Sequence, residues 1–227
     1  MYVIAFAVLM GVAAGATAFP GARIPAIGGG EGSGSTGNGR VPQPPAAPSP
    51  PGVYAFAETN GGKPVTFDPC DTVSVWYQLD GEPYPASRDV AEAVPRLAIA
   101  NGRPVGFQTG RSADGPTIVV RWVSAPWQLP GEPEPDTVGT GEFMSIGLTI
   151  TSGTVTLAAD AGLPPGFGTR SWGVTYLHEF GHAVGLAHVQ DTGEVMYPDV
   201  VPTRPAHYGP GDLQGLAALG GACERPQ

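Results

Sequence analysis

The sequence predicts an α+β domain built around a mostly single sheet. Segments of alternating β-branched and aromatic residues are interrupted by one helical segment, and two further helical segments close the chain. The 35 glycines and 26 prolines argue against a helical bundle, because both residues are unfavourable inside helices. An apolar fraction of 41% is nevertheless sufficient for a hydrophobic core.

The first predicted elements are a strand and a helix. Residues Thr72–Leu79 alternate and are rich in β-branched and aromatic side chains, which is typical of a strand. Residues Ser87–Ala100 carry apolar side chains at helical spacing, with acidic residues in the first turn. Pro95 interrupts this pattern, so the helix is predicted to kink or to restart there.

The following segments predict the rest of the sheet. A short strand is expected over 104–109, and β-branched residues predict a stronger strand over Thr117–Val123. Residues 127–141 are rich in Pro, Gly and acids and predict a loop. Residues Met144–Ala159 predict two strand segments that turn at Ser152-Gly153.

Two helices are predicted at the end of the chain. The first covers Trp172–Ala187 and is expected to end at Gly185 or just after it. The second covers Leu213–Leu219, with Asp212 as its N-cap, and Gly220-Gly221 stops it.

Composition divides the chain into three parts. The uncharged residues 2–19 predict that 1–19 is a signal peptide or a membrane anchor. Residues 20–52 hold nine glycines and eight prolines and predict a linker, flexible at first and then extended. The folded domain is expected over 53–227, in the extracellular space or at the cell surface, with residues 2–19 as its membrane attachment if they are retained.

Charge and cysteine content exclude several classes of protein. A net charge of -9 argues against nucleic-acid binding, for which a basic surface is expected. Two cysteines are too few for a disulfide-dense scaffold or a four-cysteine zinc site. In an exported domain, Cys70 near its start and Cys223 near its end predict a disulfide, with two unpaired thiols as the alternative.

Three of the four histidines lie close together and predict a metal site. His178 and His182 are four residues apart, so one helix face directs both rings at a single ion. Glu179 lies beside them, placed to take a proton from water. His188 requires a turn after the second histidine, which Gly185 supplies because glycine adopts positive φ readily. Three histidines with one open position are typical of catalytic zinc.

These residues resemble the signature of the metzincin zinc endopeptidases, in which three histidines and a glutamate are followed by a turn that contains methionine. Here Met196 lies in the segment Glu194–Pro198, eight residues after His188. The neighbouring Phe180-Gly181 and the closing segment Tyr208–Gly220 are most similar to the matrixin branch.

The resemblance implies a zincin-type domain with a twisted, mostly parallel sheet, an active-site helix, a Met-turn and a C-terminal helix. It implies an edge strand within 144–160 that pairs with an extended peptide or protein substrate. It also implies that Met196 lies beneath the metal as a packing floor. The protein is expected to be a monomer.

The sequence departs from the matrixin pattern at several positions. Only His207 remains outside the three-histidine set, so a second, structural zinc is expected to be absent, and His207 is expected at the surface. No cysteine precedes the domain to act as a latency switch. Val189 and Asp199-Val200 replace typical residues near the S1′ pocket, which leaves cleavage preference open.

Calcium is a further predicted ligand. The sequence has no evident Asp-rich calcium loop, and the candidate ligands are Asp114, Asp136 and Asp160.

The predicted function is that of a secreted or surface-tethered zinc endopeptidase. One Zn²⁺ held by His178, His182 and His188 activates water, and Glu179 accepts its proton and passes it to the leaving amine. Tyr197 is expected to have a structural role. The alternatives are an inactive zinc-binding interaction module, a zinc amidase acting on cell-wall peptides, and a structural surface protein.

Overall fold

The computed structural model of the chain describes residues 52–109, 115–125, 128–130, 137–199 and 206–224. The predicted leader over 1–19 and the predicted linker over 20–52, except Gly52, lie outside the described residues. The strands are β1 (Thr59–Asn60), β2 (Lys63–Pro64), β3 (Val73–Tyr77), β4 (Val105–Thr109), β5 (Thr117–Val123), β6 (Gly139–Ile146) and β7 (Thr149–Ala158). The helices are α1 (Ser87–Asn101), α2 (Trp172–Ala183) and α3 (Pro210–Gly220), with a short 3-10 helix at Ala159–Ala161.

The main sheet of the described residues has five strands in the order β4-β3-β5-β7-β6. Strands β4, β3, β5 and β7 run parallel to one another, and β6 pairs antiparallel with β7 at one edge. Strands β1 and β2 form a separate hairpin. The mostly parallel sheet and its helices confirm the predicted α+β fold of zincin type.

The core lies between one face of this sheet and helices α1 and α2. Alternation along the strands sends Val75, Ile118 and Val155 inward, and all three are fully buried. Helix α1 covers them with apolar residues four and three positions apart, namely Val90, Val94 and Leu97. The burial of these apolar residues requires that helix α2 also pack directly against the sheet.

Helix α1 continues through Pro95, so the predicted kink or restart does not divide it into two helices. Pro95 is exposed, and the buried face of the helix supplies packing on both sides of it. Gly102 ends the helix with φ +72, and its N–H donates to the carbonyl of Ala98 at 2.9 Å.

The β6–β7 turn lies at Gly147-Leu148, so the prediction of a turn at Ser152-Gly153 is wrong. Gly147 has φ +64, which suits glycine in a tight turn. Gly153 instead lies inside β7, where an added Cβ would be 3.1 Å from the carbonyl oxygen of Ala183. This glycine allows α2 to approach the sheet.

The edge strand β6 begins inside the segment predicted to be a loop. Residues 139–141 belong to β6, which forms one edge of the sheet. The edge strand is therefore not confined to the predicted range 144–160. This part of the strand is rich in glycine because it lies against helix α2.

Helix α3 begins earlier than predicted, at Pro210, and its N-cap is Gly209. Asp212 is therefore not the N-cap but the third helical residue, where its carboxylate accepts the N–H of Gly209 at 2.9 Å. The end of α3 is held by Asn101, whose side chain donates to the Leu216 carbonyl at 2.7 Å. Just beyond the helix, Cys223 forms the predicted disulfide with Cys70.

None of the helices in the described ranges is both long enough and apolar enough to cross a membrane.

Candidate metal centre

Helix α2 runs through the interior and presents two histidines on one face. All of its residues from Trp172 to Ala183 are buried. His178 and His182 are one turn apart, and only 1% and 5% of their surfaces are exposed. The last residue of the helix is Ala183, two residues before Gly185, which is the earliest end that the sequence predicts.

A Schellman turn ends α2 and delivers the third histidine. The N–H of Leu186 donates to the Gly181 carbonyl at 2.8 Å, and the N–H of Gly185 donates to the His182 carbonyl at 3.0 Å. Gly185 has φ +112, a region that favours glycine. The chain reverses here as predicted, and His188 comes to face the two helical histidines.

The Nε2 atoms of the three histidines form a nearly regular triangle. His178 lies 3.1 Å from His182 and 3.1 Å from His188, and His182 lies 3.0 Å from His188. Tetrahedral zinc with Zn–N bonds of about 2.0–2.1 Å separates its ligand nitrogens by about 3.3 Å. The three rings thus fit one zinc ion.

The backbone sets the tautomer of the two helical histidines. His178 Nδ1 lies 2.7 Å from the Val195 carbonyl, and His182 Nδ1 lies 2.9 Å from the Leu186 carbonyl. Because a carbonyl oxygen only accepts, each Nδ1 carries the proton and each Nε2 presents a lone pair. Two such lone pairs 3.1 Å apart repel each other, and a shared cation relieves that repulsion.

Burial favours the neutral ring at His182. Burial lowers the pKa of His182 to about 4, although the hydrogen bond to the Leu186 carbonyl acts in the opposite direction. The ring is therefore neutral near pH 7, which is the form that binds a metal ion.

The side chain of Glu179, a residue of α2, lies toward the edge strand β6, and the residue is fully buried. A Cβ added at Gly139 would be 3.1 Å from Glu179 Oε1, and one added at Gly141 would be 2.2 Å from the Glu179 carbonyl oxygen. The alternating glycines of β6 thus allow the helix that carries Glu179 to lie against the sheet edge. This role is not among those predicted from the sequence, although the spacing Gly-Thr-Gly at residues 139–141 signals it.

Met196 packs beneath the helix that carries the histidines. It is 1% exposed, and a Cβ at Gly181 would be 2.3 Å from its sulfur atom. Val189, the residue after His188, donates its N–H to the Met196 carbonyl at 3.1 Å. Tyr197 is half-buried and donates its N–H to the Glu194 carbonyl at 3.3 Å.

The Met-turn, residues 194–198, is joined to α3 by two buried carboxylates. Glu194 accepts the N–H groups of Gly211 and Asp212, each at 2.9 Å. Asp212 accepts the N–H groups of Val195 and Met196, at 2.5 and 3.2 Å. This pairing cannot be predicted from local sequence patterns, because it depends on the contact between two segments distant in the chain.

Two other residues considered as ligands, His207 and Asp160, are exposed and do not belong to the three-histidine group. Asp114 and Asp136, the other calcium candidates, lie outside the described residues. Within the described ranges, the three histidines are the one group of three or more His, Cys, Asp or Glu residues arranged to share an ion.

Comparison with known proteins agrees with this geometry over part of the chain. Residues 167–220 match the sequence model of the family described as Matrixin, peptidase family M10. Interstitial collagenase of Sus scrofa is 39% identical over 49 residues, which are 22% of this chain and 10% of that protein, and the same values hold for the enzyme of Equus caballus. Neutrophil collagenase of Homo sapiens is 39% identical over 51 residues, 22% of this chain and 11% of that protein.

The chain thus spans about a tenth of the length of the curated relatives it matches. The matched residues contain the whole of α2, the third histidine, the Met-turn and α3. This part of the chain is matrixin-like, and its three histidines are arranged so that they could share one metal ion.

Proposed function

We propose that this protein is a zinc endopeptidase that hydrolyses peptide bonds at the site formed by His178, His182 and His188. The observation that carries the proposal is the convergence of three Nε2 atoms within 3.0–3.1 Å of one another. Two of these rings are fixed by backbone carbonyls in the tautomer that binds a metal. The match to Matrixin over 167–220 supports the same chemistry.

Zinc, when bound, supplies a Lewis acid that polarises the scissile carbonyl and makes water a better nucleophile near neutral pH. The protein's own contribution begins with Glu179, one residue after the first ligand and directed toward β6. In the proposed reaction, Glu179 takes the proton of the attacking water and transfers it to the leaving amine. Its burial keeps the carboxylate in a site from which bulk water is excluded.

The edge strand β6 is the proposed binding surface for substrate. Among the described residues it pairs only with β7, so its other edge presents backbone N–H and C=O groups to any strand that adds there. An extended peptide can add to such an edge as a further strand. Because a Cβ added at Gly139 would be only 3.1 Å from Glu179 Oε1, a peptide on this edge would pass close to the proposed catalytic carboxylate.

We also propose the domain organisation and the location of the protein. Residues 1–19 serve as a signal peptide or membrane anchor, 20–52 as a linker, and 53–227 as the catalytic domain. The disulfide between Cys70 and Cys223 supports an oxidising environment outside the cell or at its surface. We further propose a monomer, and calcium binding stays a prediction.

The test is hydrolysis of a broad peptide library by the full chain. Cleavage should disappear when a chelator removes the metal and should return when zinc is added back. Stoichiometric zinc with no cleavage of any peptide would contradict the proposal and favour an inactive binding module. Cleavage confined to cell-wall peptides would favour the amidase.

A further inference from the structure

A hydrogen-bonded chain runs from His178 to a buried carboxylate on a different helix. His178 Nδ1 donates to the Val195 carbonyl at 2.7 Å. The next N–H, that of Met196, belongs to the same peptide group and donates to Asp212 Oδ1 at 3.2 Å. One peptide group therefore lies between a ligand ring and a carboxylate.

His182 has a matching chain with a different end. Its Nδ1 donates to the Leu186 carbonyl at 2.9 Å. The N–H of the same peptide group, that of Ala187, donates to the carbonyl of Ala55 at 2.8 Å. The two histidines thus have equal arrangements up to the peptide group, but only the His178 chain ends on an acidic side chain.

The acceptor Asp212 is held firmly in place. Its Oδ2 atom accepts the N–H groups of Val195 at 2.5 Å and Gly209 at 2.9 Å, and the residue is 1% exposed. Its Oδ1 atom is thereby directed at Met196. Burial raises the pKa of Asp212, and its backbone hydrogen bonds act against that rise, with a net value of about 6. Because pH 8 lies above this pKa, the carboxyl group is ionised there.

We propose that Asp212 is a positioning residue for the first ligand, acting through the Val195–Met196 peptide to orient His178 and strengthen it as a donor to zinc. A charged acceptor polarises the peptide, and the more negative Val195 oxygen then draws more strongly on the Nδ1 proton. Carboxylate–histidine–metal chains raise ligand basicity in this way, and here a peptide group is interposed. The inference rests on the proposed function, since it concerns a zinc ligand.

The variant that tests it is Asp212→Asn in the full chain, which keeps the shape, removes the charge and replaces one acceptor oxygen by an NH₂ donor. Its matched control is Glu194→Gln, because Glu194 is also buried in the Met-turn and α3 contact but accepts the N–H groups of Gly211 and Asp212 instead. At pH 8, D212N should weaken zinc binding about tenfold in a competition titration, the lower end of the range for outer ligands. E194Q should weaken it clearly less than D212N does, because Glu194 does not accept from the peptide group that holds His178.

A proton spectrum separates tuning of the ligand from general loss of structure. In D212N, the His178 Nδ1 proton should move upfield, the His182 Nδ1 proton should stay, and E194Q should leave both in place. Equal zinc affinity in D212N and the unmodified chain, or equal weakening in both variants, would overturn the proposal.

The unmodified chain provides a test that needs no variant. Its zinc-free His178 Nδ1 proton should resonate downfield of that of His182, and the reverse order would overturn the proposal. If the unmodified chain binds no zinc, the proposed function is refuted, but the comparison of the two protons in the zinc-free chain still tests the role of Asp212. If D212N binds zinc normally and its His178 Nδ1 proton does not shift, the role of Asp212 alone is refuted.

Discussion

Glu194 and Asp212 hold each other's segments through reciprocal backbone hydrogen bonds. Glu194, in the Met-turn, accepts the N–H groups of Gly211 and Asp212 at the start of α3. Asp212, in α3, accepts the N–H groups of Val195 and Met196 in the Met-turn. The two carboxylates therefore fix the Met-turn, whose Val195 carbonyl accepts from His178, to the last helix.

This pairing predicts a dependence of stability on pH. Burial, with a contribution from Glu194, raises the pKa of Asp212 from 3.8 to about 6. A raised carboxyl pKa means that the fold favours the protonated form, so its stabilising effect is complete below pH 3.8 and is lost as pH rises through 6. Relative to Asp212→Asn, the unmodified chain should lose about 3 kcal/mol between pH 3.5 and pH 7.5.

The measurement is urea unfolding of both proteins in chelator across that pH range, so that zinc does not contribute. The difference in their free energies of unfolding isolates Asp212 from the other acids. A gain in the relative stability of the unmodified chain as pH rises would contradict the assignment.

Close approach of β6 and α2 predicts that Gly141→Ala is destabilising. An added Cβ would be 2.2 Å from the Glu179 carbonyl oxygen and 2.8 Å from His182 Cβ, and these are atoms of a buried helix. We expect a loss of about 1–3 kcal/mol or more, measured by thermal unfolding. Gly168→Ala is the control, because a Cβ there meets nothing within 4 Å. Equal melting temperatures for the two variants would show that the strand and helix do not meet in this way.

The disulfide predicts a large stabilisation, because it joins residues separated by 153 positions. Replacing both Cys70 and Cys223 by Ser should lower the free energy of unfolding by about 4–5 kcal/mol in the chain-entropy model. Denaturant titration with and without reductant measures this loss, and the double variant should not respond to reductant. A change below about 1 kcal/mol would mean that the bridge adds little beyond native packing.

The N-terminal strap, residues Val53–Ala57, predicts where the folded domain begins. Its Ala57 N–H donates to the Gly185 carbonyl, and its Ala55 carbonyl accepts the N–H of Ala187, each at 2.8 Å. A chain starting at Val53 should be as stable as the full chain, whereas one starting at Glu58 should lose about 1–3 kcal/mol for two hydrogen bonds. Urea unfolding of the three chains decides this, and equal stability of the shortest chain would place the boundary later.

The parts of the site that the sequence predicts are those encoded by local spacing. His178 and His182 follow from helical periodicity, and Gly185 marks the turn because its φ of +112 suits few other residues. Strand Thr117–Val123 was predicted with its observed bounds because β-branched residues dominate it.

The parts that the sequence does not predict depend on contacts between distant segments. Gly153 was interpreted as a turn residue, although it lies in β7 where α2 approaches closely. Glycine has the same local pattern in either role, and only the packing partner distinguishes them. Asp212 was predicted to cap its own helix, but most of its hydrogen bonds go to the Met-turn, 16 and 17 residues away.

The most direct test of the account compares the zinc-loaded full chain with its Glu179→Gln variant on one peptide that the unmodified chain cleaves. Both proteins should contain one zinc ion per chain, and the variant should cleave about 10²–10⁴-fold more slowly, because the proton acceptor is lost. Glu142→Gln, an exposed position on the same edge strand, serves as the control and should keep the zinc content. Equal cleavage rates for Glu179→Gln and the unmodified chain would contradict the central claim that Glu179 and the three histidines form a peptidase site.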